Sequence, residues 1–307
     1  MARLGIADML RVGPRAVGRY TGTLLAVFVV QTLVAIACMF AVATVLAQVF
    51  AHHPLWNEAV DGDLVALIAC VRWAKVSLFA CGGIVLGALL LWQLAAGFLV
   101  GGLYGVLAQN PEGRGDTARC FGASGASTYL PYVRLALCSI PGFLIVNVLF
   151  VVGLSLVSTR IAHALTLPEL AFALAIGLGP AALVGHLLWT ANDYARVELT
   201  LRQDTHDPSV LVTYLRSVAY VVRRPVTLLH GAIGWLCFAL ITVGYAYLSQ
   251  GHAMYGAEGA VTLFVIRQGI ALARMAVRVG VLAGQVELGR TRPLPARRVE
   301  PKTEPKT

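Results

Sequence analysis

The amino-acid sequence predicts an all-α membrane protein, a polytopic bundle of six transmembrane helices, and three observations lead to that prediction. Apolar residues make up 58% of the 307 residues and charged residues only 13%, and the mean hydropathy is +0.76. A soluble domain would contain roughly 25% charged residues. Apolar stretches long enough to cross a bilayer, which takes about 20 residues, recur six times along the chain. Basic residues are concentrated in every second connection between these stretches, which is typical of multi-pass membrane proteins.

The six predicted spans account for most of the chain. Five contain no acidic or basic residue, and none shows the alternating polar pattern of a barrel strand, so each is expected to be a helix. The predicted spans are residues 22–50, 77–108, 135–158, 170–191, 226–248 and 259–284. We expect residues 1–289 to form a single transmembrane domain. Residues 290–307 are rich in Pro, Arg and Lys and are expected to form a disordered basic cytoplasmic tail.

The distribution of charge predicts the orientation of the spans. The first span is too long for the roughly 7–15-residue core of a cleaved signal peptide, so we expect it to remain and to keep the number of spans even. The net charge is +9, yet the outer loops contain only Arg72, Lys75 and Arg160 as basic residues. This bias predicts that both termini lie in the cytoplasm. It also favours anionic lipid headgroups as partners over nucleic acid, because no soluble basic domain is present.

The chain can be divided into three similar units. Each has a basic, partly amphipathic cytoplasmic lead-in stretch followed by two spans; these stretches are residues 6–20, 127–137 and 210–224. Two of them share a short sequence, Thr-Tyr-Leu at 128–130 and at 213–215, each followed by an arginine. The pattern predicts three hairpins with pseudo-symmetry about the membrane normal. The alternative is that every odd span needs a basic cytoplasmic flank in any case.

Small residues recur every four positions in two of the predicted spans. The second span contains Gly97, Gly101 and Gly105, and the fourth contains Gly177 and Gly185, with Ala173 and Ala181 in the same series. Small residues at this spacing allow helix backbones to approach closely in lipid. We expect them to pack helices within one chain, and homo-oligomerisation is left open.

No motif of an enzyme or of a cofactor site is found. The six cysteines form no C-x-x-C pair, and the chain lacks the G-x-x-x-x-G-K-[ST], G-x-S-x-G and H-E-x-x-H patterns. Four histidines on the predicted outer side come from three separate loops without ligand spacing, so we expect no metal. They are His52, His53, His163 and His252. His186 and His230 lie within spans and are expected to take part in hydrogen-bonded packing.

The sixth span differs from the others because it contains three arginines. Arg267, Arg274 and Arg278 are spaced by seven and four residues, which places them on one face of a helix together with Gln285. We call the three arginines the arginine seam. Each such charge costs about 3 kcal/mol or more at the centre of a bilayer, so ionisable residues in a span usually mark a functional site.

The partner of these arginines is expected near the end of the fourth span. Asp193 is the first charge after that span and is followed by Arg196. By depth it can reach Arg274 or Arg278, whereas Arg267 lies nearer the outer leaflet and needs another partner or a water-filled cavity. Two interpretations are open: a binding site for an anionic solute or lipid headgroup, or a structural ion-pair network. Arg278 could also extend its charge to the interface.

The second half of the chain resembles a known group of proteins. The matching features are Asp-Tyr-Ala-Arg at 193–196, Arg202, Arg223-Arg224-Pro225, Arg267-Gln268, Ala273-Arg274, Arg278 and Glu287. With these, roughly the last 120 residues resemble uncharacterised bacterial six-span inner-membrane proteins, which are similar in layout to the membrane domain associated with glycerophosphoryl diester phosphodiesterases. The first half is similar in layout. The active site of those phosphodiesterases lies in a separate soluble domain, so the resemblance implies the fold and no enzymatic activity.

These observations lead to a non-enzymatic protein with no cofactor. We expect a transport or lipid-handling component whose arginine seam receives an anionic solute or headgroup. The alternative is a membrane scaffold or accessory subunit of a larger complex, in which the arginines are structural. The expected partners are membrane lipids, with a protein partner or homo-oligomer left open and no nucleic acid.

Overall fold

The computed structural model describes residues 6–50, 53–60, 63–161, 166–202, 209–250 and 257–294. α-Helix accounts for 94% of these residues, and no strand occurs among them. The helices are α1 (Ile6–Arg19), α2 (Thr21–Phe50), α3 (Trp56–Val60), α4 (Leu64–Trp73), α5 (Lys75–Gln109), α6 (Arg114–Ile161), α7 (Leu167–Leu201), α8 (Val210–Arg223), α9 (Pro225–Gln250) and α10 (Ala257–Thr291).

Six of these helices, α2, α5, α6, α7, α9 and α10, are long and apolar enough to cross a membrane. The predicted all-α fold with six long apolar helices is therefore confirmed at this level. The helices extend beyond the predicted spans: α6 has 48 residues, about 72 Å at 1.5 Å per residue, and joins the second lead-in stretch to the third span without a break. Pro131 and Pro141 lie inside it.

The described helices group into two compact units, one of residues 21–100 and the other of residues up to Tyr20 together with those from Gly101 onward. In the smaller unit, Phe50 stacks on Trp56 with ring centroids 4.5 Å apart. The side chain of Asp63 caps α4 by accepting hydrogen bonds from the backbone N–H groups of its first turn. Gly97 of the predicted small-residue series lies in this unit and is half-buried.

In the larger unit, small residues lie where helices contact each other. Gly177 on α7 faces the backbone of Gly153 on α6, and Gly185 faces Val146. Residue numbers at these contacts therefore increase along α7 as they decrease along α6. This register is antiparallel. Near the end of α5, Gly101 and Gly105 face Thr128 and Ser124 on α6. The glycines at these positions thus lie at contacts within the chain.

The helices α9 and α10 also contact each other in an antiparallel register. A Cβ atom at Gly234 would meet the side chain of Val281, and one at Gly284 would meet the ring of His230. Farther from the α10 C-terminus, side-chain hydrogen bonds join α10 to Thr242 and Tyr245 of α9. The sixth apolar helix therefore has Arg267 and Arg274 beside α9.

Two amphipathic helices pack on the ends of long ones. Met9 of α1 is fully buried, and Gly13 approaches the backbone of Gly280 on α10 so closely that a Cβ atom would lie 3.1 Å from it. Tyr220 of α8 packs on Tyr194 of α7 with ring centroids 5.3 Å apart. Because of these contacts the C-terminal halves of α7 and α10 are mostly buried, whereas their N-terminal halves expose many apolar side chains.

Candidate functional site

A buried polar cluster lies where the C-terminal parts of α5, α7 and α10 meet. Its centre is the carboxylate of Asp193, whose side chain is only 2% exposed. Asp193 Oδ1 accepts a hydrogen bond of 2.6 Å from Arg278 Nη2 and one of 3.4 Å from the hydroxyl of Tyr104. Arg196 Nη1 lies 3.9 Å from the same oxygen. One carboxylate therefore joins residues of three long helices.

The α7 helix places the residues of this cluster by its 3.6-residue period. Trp189 and Asp193 are four residues apart and lie on one side of the helix, where both face Arg278. The guanidinium of Arg278 lies 5.3 Å from the centre of the Trp189 ring, a cation–π distance. A buried charge is tolerated only when it is paired and hydrogen-bonded, and Arg278 receives both kinds of contact.

Two tyrosines complete the cluster, and no charge pattern in the sequence marks them. Tyr104 and Tyr132 are both buried, with ring centroids 6.2 Å apart in an edge-to-face arrangement. The Tyr132 hydroxyl lies 2.6 Å from Thr200 Oγ1 and 3.2 Å from the carbonyl of Arg196. Their only sequence signal is a phenolic hydroxyl in an apolar helix, which needs a partner when it is buried.

The other two arginines of the seam are placed differently. Arg267 Nε donates a hydrogen bond of 2.7 Å to the Tyr245 hydroxyl, and Arg274 donates one to Thr242 Oγ1. Both arginines are exposed, and the four ion pairs among the described side chains involve neither of them. Of the two arginines expected within reach of Asp193, Arg278 contacts it, whereas Arg274 is hydrogen-bonded to Thr242 of α9.

A small cavity adjoins the cluster. It has a volume of about 40 Å³ and is lined by Asp193, Arg278 and Gln285 together with His186 and Trp189, among others. Gln285 is 1% exposed, and its Oε1 has no hydrogen-bond partner within the described part of the chain. The sequence placed Gln285 on the face of the arginine seam, and the structure puts it beside the Asp193–Arg278 pair.

The structure describes one of the four histidines that the sequence places on the outer side. His52, His163 and His252 lie outside the described residues. His53 Nδ1 is 3.3 Å from the thiol of Cys70, and its ring contacts Trp73 edge-on. Within the described ranges, His, Cys, Asp and Glu side chains form no group of three or more that could hold a metal ion.

Comparison of the chain with protein-family models, with curated proteins and with solved structures gives no match in any of the three.

Proposed function

We propose that this is an integral protein of the bacterial inner membrane that acts without catalysis as a transport or lipid-handling component. In this proposal Arg267 and Arg274, which we call the hydroxyl-bonded pair, receive an anionic group. The observation that supports it is that both arginines lie in an apolar helix, are exposed, and have hydroxyls of α9, and no carboxylate, as hydrogen-bond partners among the described residues. A hydroxyl does not neutralise a guanidinium, and so the charge of each remains available to an anion.

The chemistry of arginine narrows the class of anion. A guanidinium has five N–H donors in a planar fork that matches the oxygens of a phosphate or a carboxylate. Arg267 and Arg274 are seven residues apart, nearly two helical turns, so their Cα atoms are separated by about 10 Å along α10. This spacing suits two points along the path of one solute, or a headgroup with two acidic centres.

The membrane arrangement is part of the proposal. Six long apolar helices, each able to cross a bilayer, are arranged as three hairpins with both termini in the cytoplasm. The antiparallel registers of α6 with α7 and of α9 with α10 support two of these hairpins. The recurrence of Val-Glu-Leu at 197–199 on α7 and at 286–288 on α10 supports the repeat. Membership in the six-span inner-membrane group that the sequence resembles is proposed on the same basis.

Charge-neutral substitution tests the proposal. The full chain is purified in nanodiscs that contain native lipid extract, and native mass spectrometry records the lipids and solutes that remain bound. We expect Arg274→Gln and Arg267→Gln to lose a stoichiometric anionic ligand that the unaltered protein retains. A charge-assisted hydrogen bond contributes about 1.5–3 kcal/mol, so affinity should fall roughly tenfold or more. Leu240→Gln, at an exposed position on α9 that the hydroxyl-bonded pair does not contact, is the control.

The result that would contradict this function is equally direct. If the unaltered protein retains no anionic ligand, or if both glutamine variants retain it as well as Leu240→Gln does, the hydroxyl-bonded pair is not a binding site.

A second candidate function is a membrane scaffold or accessory subunit. It is favoured by the Asp193 cluster, which joins α5, α7 and α10 through paired and hydrogen-bonded groups. In that case the cluster is structural, and the functional surface is one that binds another protein. Stoichiometric copurification of one protein partner, unaffected by Arg274→Gln, would favour this candidate over the first.

A further inference from the structure

The small cavity beside Asp193 is lined by hydrogen-bond acceptors that have no donor. Asp193 Oδ2 and Gln285 Oε1 have no partner among the described residues, although both side chains are almost fully buried. His186 adds a third acceptor. Its Nε2 lies 3.0 Å from the carbonyl oxygen of Leu228, and a carbonyl can only accept, so Nε2 has the proton. In the neutral ring Nδ1 is then an acceptor, and it too is buried without a partner.

Unpaired buried acceptors indicate what the cavity is suited to bind. A buried acceptor that loses its water partner destabilises the protein when nothing replaces that partner. The three acceptors are complementary to a small donor, and an ammonium group, with three N–H donors and a positive charge, suits them and the carboxylate of Asp193. The volume of about 40 Å³ leaves room for a group of this size, since one water needs roughly 10–15 Å³.

An apolar groove adjoins this cavity. It has a volume of about 770 Å³ and runs between α6, α7 and α9, where Phe143, Phe150, Leu178 and Ala182 are among its lining residues. The groove and the cavity share His186, Trp189 and Trp235, so the two lie side by side. The rings of Trp189 and Trp235 lie 6.2 Å apart at this junction.

The ligand that fits both parts is amphipathic and has both charges in its polar end. An acyl chain suits the groove, an ammonium suits the acceptors, and a phosphate suits Arg278, which lines the cavity and stacks on Trp189. We propose that this site binds one aminophospholipid, with its amine beside Asp193 and Gln285, its phosphate beside Arg278, and an acyl chain in the groove. This inference rests on the membrane location in the proposed function. It does not depend on an anion that binds at Arg267 or Arg274.

The groove offers a matched pair of variants for the test. Ala182 lines the groove and is exposed, so Ala182→Phe fills the groove without overpacking a core. Leu183 is the next residue, is 65% exposed and does not line the groove, so Leu183→Phe is the control. Gln285→Leu replaces the amide with an apolar side chain and so removes one acceptor of the cavity.

The full chain is reconstituted in nanodiscs of equimolar phosphatidylethanolamine and phosphatidylglycerol with identical acyl chains, and native mass spectrometry counts the lipids that remain on the released protein. We expect the unaltered protein and Leu183→Phe to retain one phosphatidylethanolamine in preference to phosphatidylglycerol. Ala182→Phe and Gln285→Leu should each reduce this retention about tenfold or more. The first variant blocks the groove that binds the acyl chain, and the second removes one charge-assisted hydrogen bond to the amine. Gel-filtration profile and melting temperature verify that each variant is folded.

Three outcomes would overturn the inference. Equal retention of phosphatidylglycerol would refute the amine at Asp193, and so would unchanged retention in a folded Gln285→Leu variant. Equal retention by Ala182→Phe and Leu183→Phe would refute the groove, leaving a cavity that holds water alone. Arg274→Gln separates this inference from the proposed function: it should keep phosphatidylethanolamine at this site even if it loses an anion elsewhere.

Discussion

Asp193 is a buried carboxylate whose charge has to be balanced inside an apolar part of the protein. Its partner Arg278 lies on another helix, 85 residues away in sequence, and the two form an ion pair of 2.6 Å. A buried pair of this kind adds little net stability, but removing one partner leaves an uncompensated charge. The pair therefore constrains how α7 and α10 face each other, because any other arrangement would leave a buried charge without its partner.

This predicts a specific pattern of stability at the two positions. Arg278→Gln should destabilise the folded protein by up to about 3 kcal/mol, because it removes the nearest partner of a buried carboxylate and leaves Arg196, whose Nη1 lies 3.9 Å away. The double variant Asp193→Asn/Arg278→Gln should cost much less than the sum of its two single variants, because no charge is then left alone. The measurement is reversible denaturation in detergent micelles, with unfolding followed by tryptophan fluorescence.

The exposed arginine on the same helix is the control. Arg274 has a hydroxyl partner and no carboxylate, so Arg274→Gln should change stability by about 0.5 kcal/mol or less. Additive effects in the double variant would show that Asp193 and Arg278 are not coupled and that the cluster has no structural role as a pair.

At the scale of helices, each lead-in stretch packs on the C-terminal end of a long apolar helix. α1 packs on α10, the first part of α6 packs on the end of α5, and α8 packs on α7. The helices that receive them are the second, fourth and sixth long apolar helices, so the contacts follow one rule. This rule is what a three-unit repeat would produce, since one kind of surface is used three times.

The contact of α1 with α10 can be tested at a glycine. A Cβ atom at Gly13 would lie 3.1 Å from the backbone of Gly280, and backbone cannot move aside as a flexible side chain can. Gly13→Leu should therefore displace α1 and destabilise the protein by roughly 1–3 kcal/mol, the cost of overpacking. Limited proteolysis of α1 and the melting temperature in detergent report the change.

Gly18 on the same helix is the matched position, because no described atom outside its chain neighbours and its own stretch of helix backbone lies within 4 Å of a Cβ atom built there. Gly18→Leu should leave stability unchanged or raise it, since leucine has a higher helix propensity than glycine by up to about 1 kcal/mol. Equal effects of the two leucine variants would mean that α1 does not depend on its contact with α10.

The long helices could be predicted from sequence, whereas most of their contacts could not. Apolar runs fix the existence of a helix because backbone groups in a membrane have to be satisfied within it. Helical spacing placed Arg278 and Gln285 on one face, yet spacing along one helix does not reveal a partner on another. The hydroxyls of Thr242 and Tyr245 are ordinary residues of an apolar helix, and only the register of α9 against α10 brings them to the arginines.

At the scale of the whole chain, charge and apolar length together predict how the protein crosses the membrane. The six apolar helices form an even number, and the basic residues lie mostly before α2, in the N-terminal part of α6, from the end of α7 to the start of α9, and from the end of α10 onward. A basic segment is retained in the cytoplasm more readily than it is translocated. The depth assigned to each arginine depends on this orientation.

Fusions of reporters at four positions test the orientation. We expect green fluorescent protein to fluoresce, and alkaline phosphatase to be inactive, when either is fused after residue 112, after residue 205 or at Thr307, because these positions are predicted to be cytoplasmic. Alkaline phosphatase fused after residue 163 should be active, because this position follows the third span. Phosphatase activity at Thr307 would reverse the topology, placing Arg267 nearest the cytoplasm and the Asp193 cluster at the outer face. An anionic solute would then meet Arg267 before Arg274 from the cytoplasmic side.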